Sequence, residues 1–224
     1  MSKRTATYTD DQLARTFDAT NLKLDTSDAD IRVLCQDATR FGCAAVCVYL
    51  SQVPLARTCL AESPVRVATV IGFPHGRLPV EAKLLELRLA AQAGAHEVDI
   101  VMNHPLLAEG RSGPLADELL ALCQSARELG LLSKIIVETC YLDESQKTEI
   151  LHLCENAGAD YIKTSTGFGS AGASVEDVAR WASLRKTIKI KASGGIRTKA
   201  QAMALLEAGA DRLGLSSASA ILGA

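Results

Sequence analysis

Lysine is a costly residue to bury, because an ammonium ion loses its hydration on leaving water. This sequence nonetheless sets Lys134, Lys163, Lys189 and Lys191 inside short runs that otherwise read as apolar, β-branched strands. Lys163 stands in Ala159-Asp160-Tyr161-Ile162-Lys163-Thr164-Ser165-Thr166-Gly167, where a strand gives way to a loop of small residues. Lys191 stands in the same relation to Ser193-Gly194-Gly195. Two converging ammonium groups repel, and burial also disfavours charge. Both effects lower a lysine's pKa and release a neutral, nucleophilic amine, the species that forms an imine with a carbonyl. Asp99, in Glu97-Val98-Asp99-Ile100-Val101, offers a carboxylate able to carry a proton directly or through water.

The polar residues keep a period of two. Glu97 and Asp99 share one strand face against Val98 and Ile100, and Lys134 and Glu138 alternate with Ile135 and Val137. Lys163 goes with Tyr161 and Ser165, Lys191 with Lys189, and Cys47 alternates with Val46 and Val48. The apolar parity packs on helices, so the charged parity points into a barrel, and an acid and up to three lysines converge near the carboxyl ends of neighbouring strands. A structural network of paired ions is the competing reading. The placement of both Lys163 and Lys191 at strand ends before small-residue loops favours chemistry. The pattern selects no substrate.

The elements that must position these residues alternate along the chain. Strands are expected at Ala44–Tyr49, Val65–Ile71, His96–Met102, Leu132–Glu138, Ala159–Thr164, Ile188–Ala192 and Arg212–Ser216. Helices are expected at Asp28–Phe41, Val80–Gln92, Leu115–Leu129, Glu144–Asn156, Val175–Leu184 and Lys199–Glu207. Ala-Gly-Ala recurs at 93–95, 157–159 and 208–210, each time with glycine where a helix would end in a left-handed residue. Seven strands are clear. Thr16–Leu22, after an amphipathic N-terminal segment expected to form a short helix, is a weak eighth. With it the chain forms a single-domain (β/α)8 TIM barrel spanning 1–224; without it an open doubly wound sheet remains.

Gly194 and Gly195 follow the strand carrying Lys191, and Gly214, Ser216 and Ser217 close the last strand. Loops after barrel strands seven and eight commonly cradle phosphate with backbone N–H groups. Thr166 and Gly167 supply a third side. Local backbone recognition of an anion suits a chain of net charge −2. That balance gives no support for a nucleic-acid surface or a membrane patch, and 4% aromatic residues are too few for base stacking. Seven cysteines without a Cys-x-x-Cys pair read as reduced thiols, no metal-ligand spacing stands out, no apolar run is long enough to span a membrane, and the polar stretch after Met1 lacks a signal core. A cytoplasmic enzyme is expected.

Asp99, Lys163 in Tyr161-Ile162-Lys163-Thr164-Ser165-Thr166-Gly167, Lys191 in Lys191-Ala192-Ser193-Gly194-Gly195-Ile196-Arg197-Thr198, Lys134-Ile135-Ile136-Val137-Glu138-Thr139 and Gly214-Leu215-Ser216-Ser217 together resemble deoxyribose-phosphate aldolase. The likeness runs from about Asp18 to Ser217. It implies a (β/α)8 barrel that reversibly cleaves 2-deoxy-D-ribose 5-phosphate to glyceraldehyde 3-phosphate and acetaldehyde, with no metal or organic cofactor. It implies Lys163 as the Schiff-base lysine, Lys191 as the lysine depressing its pKa, and Asp99 as the proton carrier. Lys134 would pair with the acid, Cys47 would line the pocket and Asp18 would touch substrate. The partner implied is a phosphorylated sugar, and such barrels are often homodimers. The sequence departs from the family at Asp18-Ala19-Thr20, where Asp-His-Thr is frequent, and at His75, where leucine is usual; it also stops at Ala224, without the tyrosine-ended tail of some members. An aldolase or transaldolase on another sugar phosphate, and a sugar-phosphate-binding barrel without activity, are the alternative readings.

Overall fold

Eight parallel strands close into one barrel in the computed structural model, which describes residues 8–223. They are β1 (Phe17–Thr20), β2 (Ala45–Val48), β3 (Arg66–Ile71), β4 (Glu97–Val101), β5 (Leu132–Ile136), β6 (Tyr161–Lys163), β7 (Lys189–Ser193) and β8 (Arg212–Leu215). Each pairs with the next, and β8 returns to β1 with Asp18 opposite Gly214. The weak first strand is therefore present, held between β2 and β8, and the open-sheet alternative is excluded.

A helix follows every strand: Asp28–Phe41, Val53–Cys59, Val80–Ala93, Ser112–Glu128, Glu144–Ala157, Val175–Leu184, Lys199–Glu207 and Ala218–Leu222. Asp10–Ala14 forms the short N-terminal helix and His104–Ala108 a further turn before the fourth main helix. Val53–Cys59 was hidden from the pattern by its length and by Pro54. The proline sits in the first turn, where the missing N–H leaves no helical bond unmade. Gly94 and Gly158 cap their helices with φ of 88° and 75°, as the repeated junction implies. The third junction keeps the pattern although its helix ends one residue earlier, at Glu207: the positive φ again falls on the glycine, Gly209, and the Ala210 N–H donates back to the Leu205 carbonyl at 3.0 Å. None of the helices among the described residues is long and apolar enough to cross a membrane.

Strand parity divides the core in two. Val46, Val48, Val67, Ile71, Val98, Ile100, Ile135, Ile162, Ile190 and Leu213 join the apolar layer between barrel and helices. Each such fully buried aliphatic side chain contributes about 1.5–3 kcal/mol. The opposite parity fills the barrel, where Cys47, Ala68 and Val70 form a small apolar cluster with Leu22 on the β1–β2 side. The remainder of that interior is charged. One expected interior residue departs: β5 ends at Ile136, and Glu138 takes a left-handed φ of 51° that carries it out of the ladder. Its carboxylate instead accepts the backbone N–H of Thr166 at 3.2 Å and the Thr166 hydroxyl, pinning the loop after β6.

A second buried ion pair braces the strand that carries Asp99. Lys83, without exposed surface, donates to Glu118 Oε1 at 2.7 Å and to the Val101 carbonyl at 2.8 Å. It thereby ties helices Val80–Ala93 and Ser112–Glu128 to the carboxyl end of β4. A Glu118→Ala substitution leaves this ammonium buried and uncompensated, a loss of about 3–5 kcal/mol. The combined Lys83→Met and Glu118→Leu variant should recover most of that loss in urea unfolding, because it removes both charges together.

Candidate active site

Asp99 has no exposed surface and is surrounded by the side-chain nitrogens of three lysines. Lys134 donates to its Oδ1 at 2.8 Å, and Lys163 and Lys191 to its Oδ2 at 2.6 and 2.7 Å. Strand register brings this about. Asp99 lies opposite Lys134 on the neighbouring strand, and Lys163 lies opposite Lys191. A second buried acid, Asp18, grips Lys191 from the β1 side at 2.5 Å and Arg212 at 2.5 Å. Glu97 forms the layer beneath, 2.7 Å from Lys134, 3.5 Å from Arg212 and 3.2 Å from the half-exposed Arg66.

The lysines differ electrostatically although they share an acid. Burial holds Lys163 below the ordinary lysine value; the single carboxylate of Asp99 opposes that shift and the Lys191 ammonium reinforces it. For Lys191 burial acts in the same sense, but Asp18 and Asp99 outweigh it and raise the pKa. Burial is likewise overcome at Lys134, by Asp99, Glu97 and Asp18. Burial would raise Asp99, yet the three lysines hold its carboxyl well below the usual carboxylate range. The Cys47 thiol, buried and near Asp99, is pushed up to about 11, which disfavours thiolate.

Above this cluster opens a cavity of about 650 Å³ at the carboxyl ends of the strands. Of the three lysines bonded to Asp99, Lys163 lines it and Lys134 and Lys191 do not. The cavity reaches Thr166, Gly167, Gly194, Gly195, Gly214 and Ser216, so six residues expected around an anion meet on one side of Lys163. The backbone N–H groups of Gly167, Gly194 and Gly195 make no hydrogen bond among the described residues, which leaves them free to bind an anion. Ser217 lies off this wall and donates its hydroxyl to the Ile196 carbonyl at 2.9 Å. Asp18 and Cys47 lie below, enclosed in the barrel with no exposed surface. His75 is exposed and lines a separate cavity of about 480 Å³ with Arg77, His104 and Tyr141.

Sequence reading passed over Lys23 and Arg197 on the rim of the larger cavity, and Arg212 within the barrel. Arg212 was legible in principle, since it shares strand parity with Gly214, but a charge at the start of a strand reads as a surface residue. Among the described residues there is no group of three or more His, Cys, Asp or Glu placed to hold a metal ion.

The DeoC/LacD family aldolase profile matches residues 10–223 of this chain. The chain belongs to the DeoC/LacD family of aldolases. A deoxyribose-phosphate aldolase of Thermococcus gammatolerans is 44% identical over 211 residues, covering 92% of each chain. The one from Micrococcus luteus is also 44% identical, over 98% of this chain and 99% of its own. Among solved structures, the deoxyribose phosphate aldolase of Aeropyrum pernix, described as a tetramer, superposes with a TM-score of 0.89 at 32% identity, covering 96% of this chain and 91% of that one. The match to each of these relatives covers more than nine-tenths of both chains, and the family match at 10–223 spans every strand of the barrel.

Gly214 also bears on the position of Lys191. A Cβ built there would stand 2.9 Å from Lys191 Cε and 3.0 Å from Ser193 Cβ. The end of Lys191 is pinned by Asp18 and Asp99, so its stem cannot swing away. Gly214→Ala should therefore displace the Lys191 ammonium and reduce aldolase turnover by roughly 10²-fold, as an ångström-scale misplacement does. Steady-state kinetics checks this, the fall appearing in kcat.

Proposed function

We propose that this aldolase cleaves 2-deoxy-D-ribose 5-phosphate reversibly to glyceraldehyde 3-phosphate and acetaldehyde, with Lys163 as the imine-forming nucleophile. The observation that carries the reading is the asymmetry among the lysines. Lys163 alone of the three around Asp99 meets the cavity, and it is the one whose pKa is lowered.

The neutral amine of Lys163 adds to the C1 aldehyde, and the carbinolamine loses water to give a protonated imine. Asp99, 2.6 Å from the same nitrogen, carries protons in these steps. A base, Asp99 acting through water, removes the C3 hydroxyl proton. The C2–C3 bond then breaks, its electron pair flowing toward the iminium nitrogen, and glyceraldehyde 3-phosphate departs from an enamine. Protonation of the enamine carbon and hydrolysis release acetaldehyde and restore Lys163. Lys191, kept charged by Asp18 and Asp99, holds the local potential positive and disfavours a second ammonium at Lys163. Lys134 orients the far oxygen of Asp99.

The substrate phosphate is assigned to Gly167, Gly194, Gly195 and Ser216 with Thr166, beside the cationic rim of Lys23 and Arg197. Cys47 and Asp18 act from beneath, the first by packing and the second by holding Lys191. Seven unpaired cysteines support a reducing compartment such as the cytoplasm, and a homodimer is the assembly that the resemblance implies.

Incubation with acetaldehyde and borohydride should leave a two-carbon adduct on Lys163, read by peptide mass. An adduct on another lysine would sink the assignment. The trapping rate should rise with pH through a midpoint below that of an ordinary lysine, because only the neutral amine reacts and its pKa is lowered. Lys191→Met removes the ammonium that helps to lower it and should cut turnover near neutral pH by about 10²-fold or more. Deoxyribose 5-phosphate should be cleaved far better than deoxyribose, and an equal rate would contradict the anion site.

A further inference from the structure

Ionisable side chains of the barrel interior do not balance. Among the described residues, three buried acids (Asp18, Glu97 and Asp99) face four bases (Lys134, Lys163, Lys191 and Arg212). An unmatched charge in a water-poor interior costs several kcal/mol, so the favoured arrangement leaves one base neutral. Arg212 cannot be that base, since a guanidinium keeps its proton. Lys134 lies within 3.8 Å of all three acids, and Lys191 is paired with two. Lys163 touches one carboxylate oxygen, Asp99 Oδ2, which it shares with Lys191.

Arg212 reaches neither Lys163 nor the cavity. Its neighbours are Asp18 on β1 and Glu97 on β4, with the Tyr161 ring on β6 at 5.8 Å. Lys189 covers the same ring at 5.7 Å. Glu97 also meets Lys134 and Arg66, but the Arg66 side chain is 50% exposed and its charge is screened by water. Facing Lys163 are Asp99, Lys191 and the Cys47 thiol. With Arg212 in place, three acids are matched by Lys134, Lys191 and Arg212. Without it, the same acids would have three lysines only, and Lys163 would be drawn in as the third cation.

We propose that Arg212, acting through Asp18 and Glu97, is a positioning residue that keeps Lys163 neutral by supplying the third positive charge the barrel carboxylates require. The inference rests on Lys163 being the nucleophile. It extends control of that amine from its contact neighbours to the opposite end of the barrel, and it makes charge count, rather than a single repelling lysine, the governing quantity.

The test is the pH dependence of acetaldehyde–borohydride trapping at Lys163. Arg212→Met should move the midpoint upward by about one pH unit, an approximately tenfold slower trapping at neutral pH. Glu97→Gln removes an acid while keeping all four bases, and should move the midpoint downward. The double variant restores an excess of one base and should return the midpoint to that of the unaltered enzyme, and Arg212→Lys should restore it likewise. A merely structural Arg212 could regain stability when its buried partner Glu97 is also removed, but it would not move the midpoint in opposite directions in the two single variants. An unmoved midpoint in Arg212→Met, or a double variant as shifted as it, would overturn the proposal. If Arg212→Met does not fold, Glu97→Gln decides alone: a downward shift supports the charge count and an unmoved midpoint refutes it. Failure of the unaltered enzyme to trap at Lys163 would instead refute the functional reading.

Discussion

A carboxylate enclosed without exposed surface must find compensation in the side chains around it, and Asp99 finds it in three lysines on three different strands. This constraint organises the barrel. Breaking one partner of such a cluster leaves an unpaired buried charge, so each residue is held in place by the cost of its absence. It also ties electrostatics to topology: the acid on β4 reaches lysines on β5, β6 and β7 only because the sheet is parallel, in register and closed. The Lys83–Glu118 pair, set behind β4, anchors the same strand from the outside.

The cluster separates tasks that a single lysine could not combine. Persistent charge belongs to Lys134 and Lys191, each held by more than one acid. Access to the cavity belongs to Lys163, which has one acid and a lowered pKa. The loops after β6, β7 and β8 line that cavity with glycine, serine and threonine and add no buried charge to it. Cys47, with its thiol pushed up to about 11, fills space in this arrangement as an apolar residue would.

Much of this was legible in one dimension. A period of two gave the interior face of β4, β5, β6 and β7, because in a doubly covered sheet a polar residue on the inward parity has nowhere else to go. Asp99, Lys134, Lys163 and Lys191 stand out in the sequence on that ground. Glu138 shows where the period misleads: it kept the parity of Lys134, but a left-handed backbone turned it toward Thr166. Arg212 shows the opposite failure. At the first position of β8 it resembles a surface cation, yet the barrel twist brings its guanidinium over Asp18 and Glu97. Ser217 shares its neighbour's chemistry, but one residue of difference turns its hydroxyl onto Ile196.

The sequence by itself determined the alternation of strand and helix, the identity of the buried charges and the glycine loops at strand ends, because these follow from local periodicity and from the cost of burying ions. Only the tertiary structure decided which lysine meets the cavity, which acids each lysine shares and how many charges the interior must balance. Those are properties of distance between residues as remote as Asp18 and Arg212, which closure of the barrel brings to 2.5 Å. Spacing along a chain carries no record of such separations, and the lowered pKa of Lys163 depends on them.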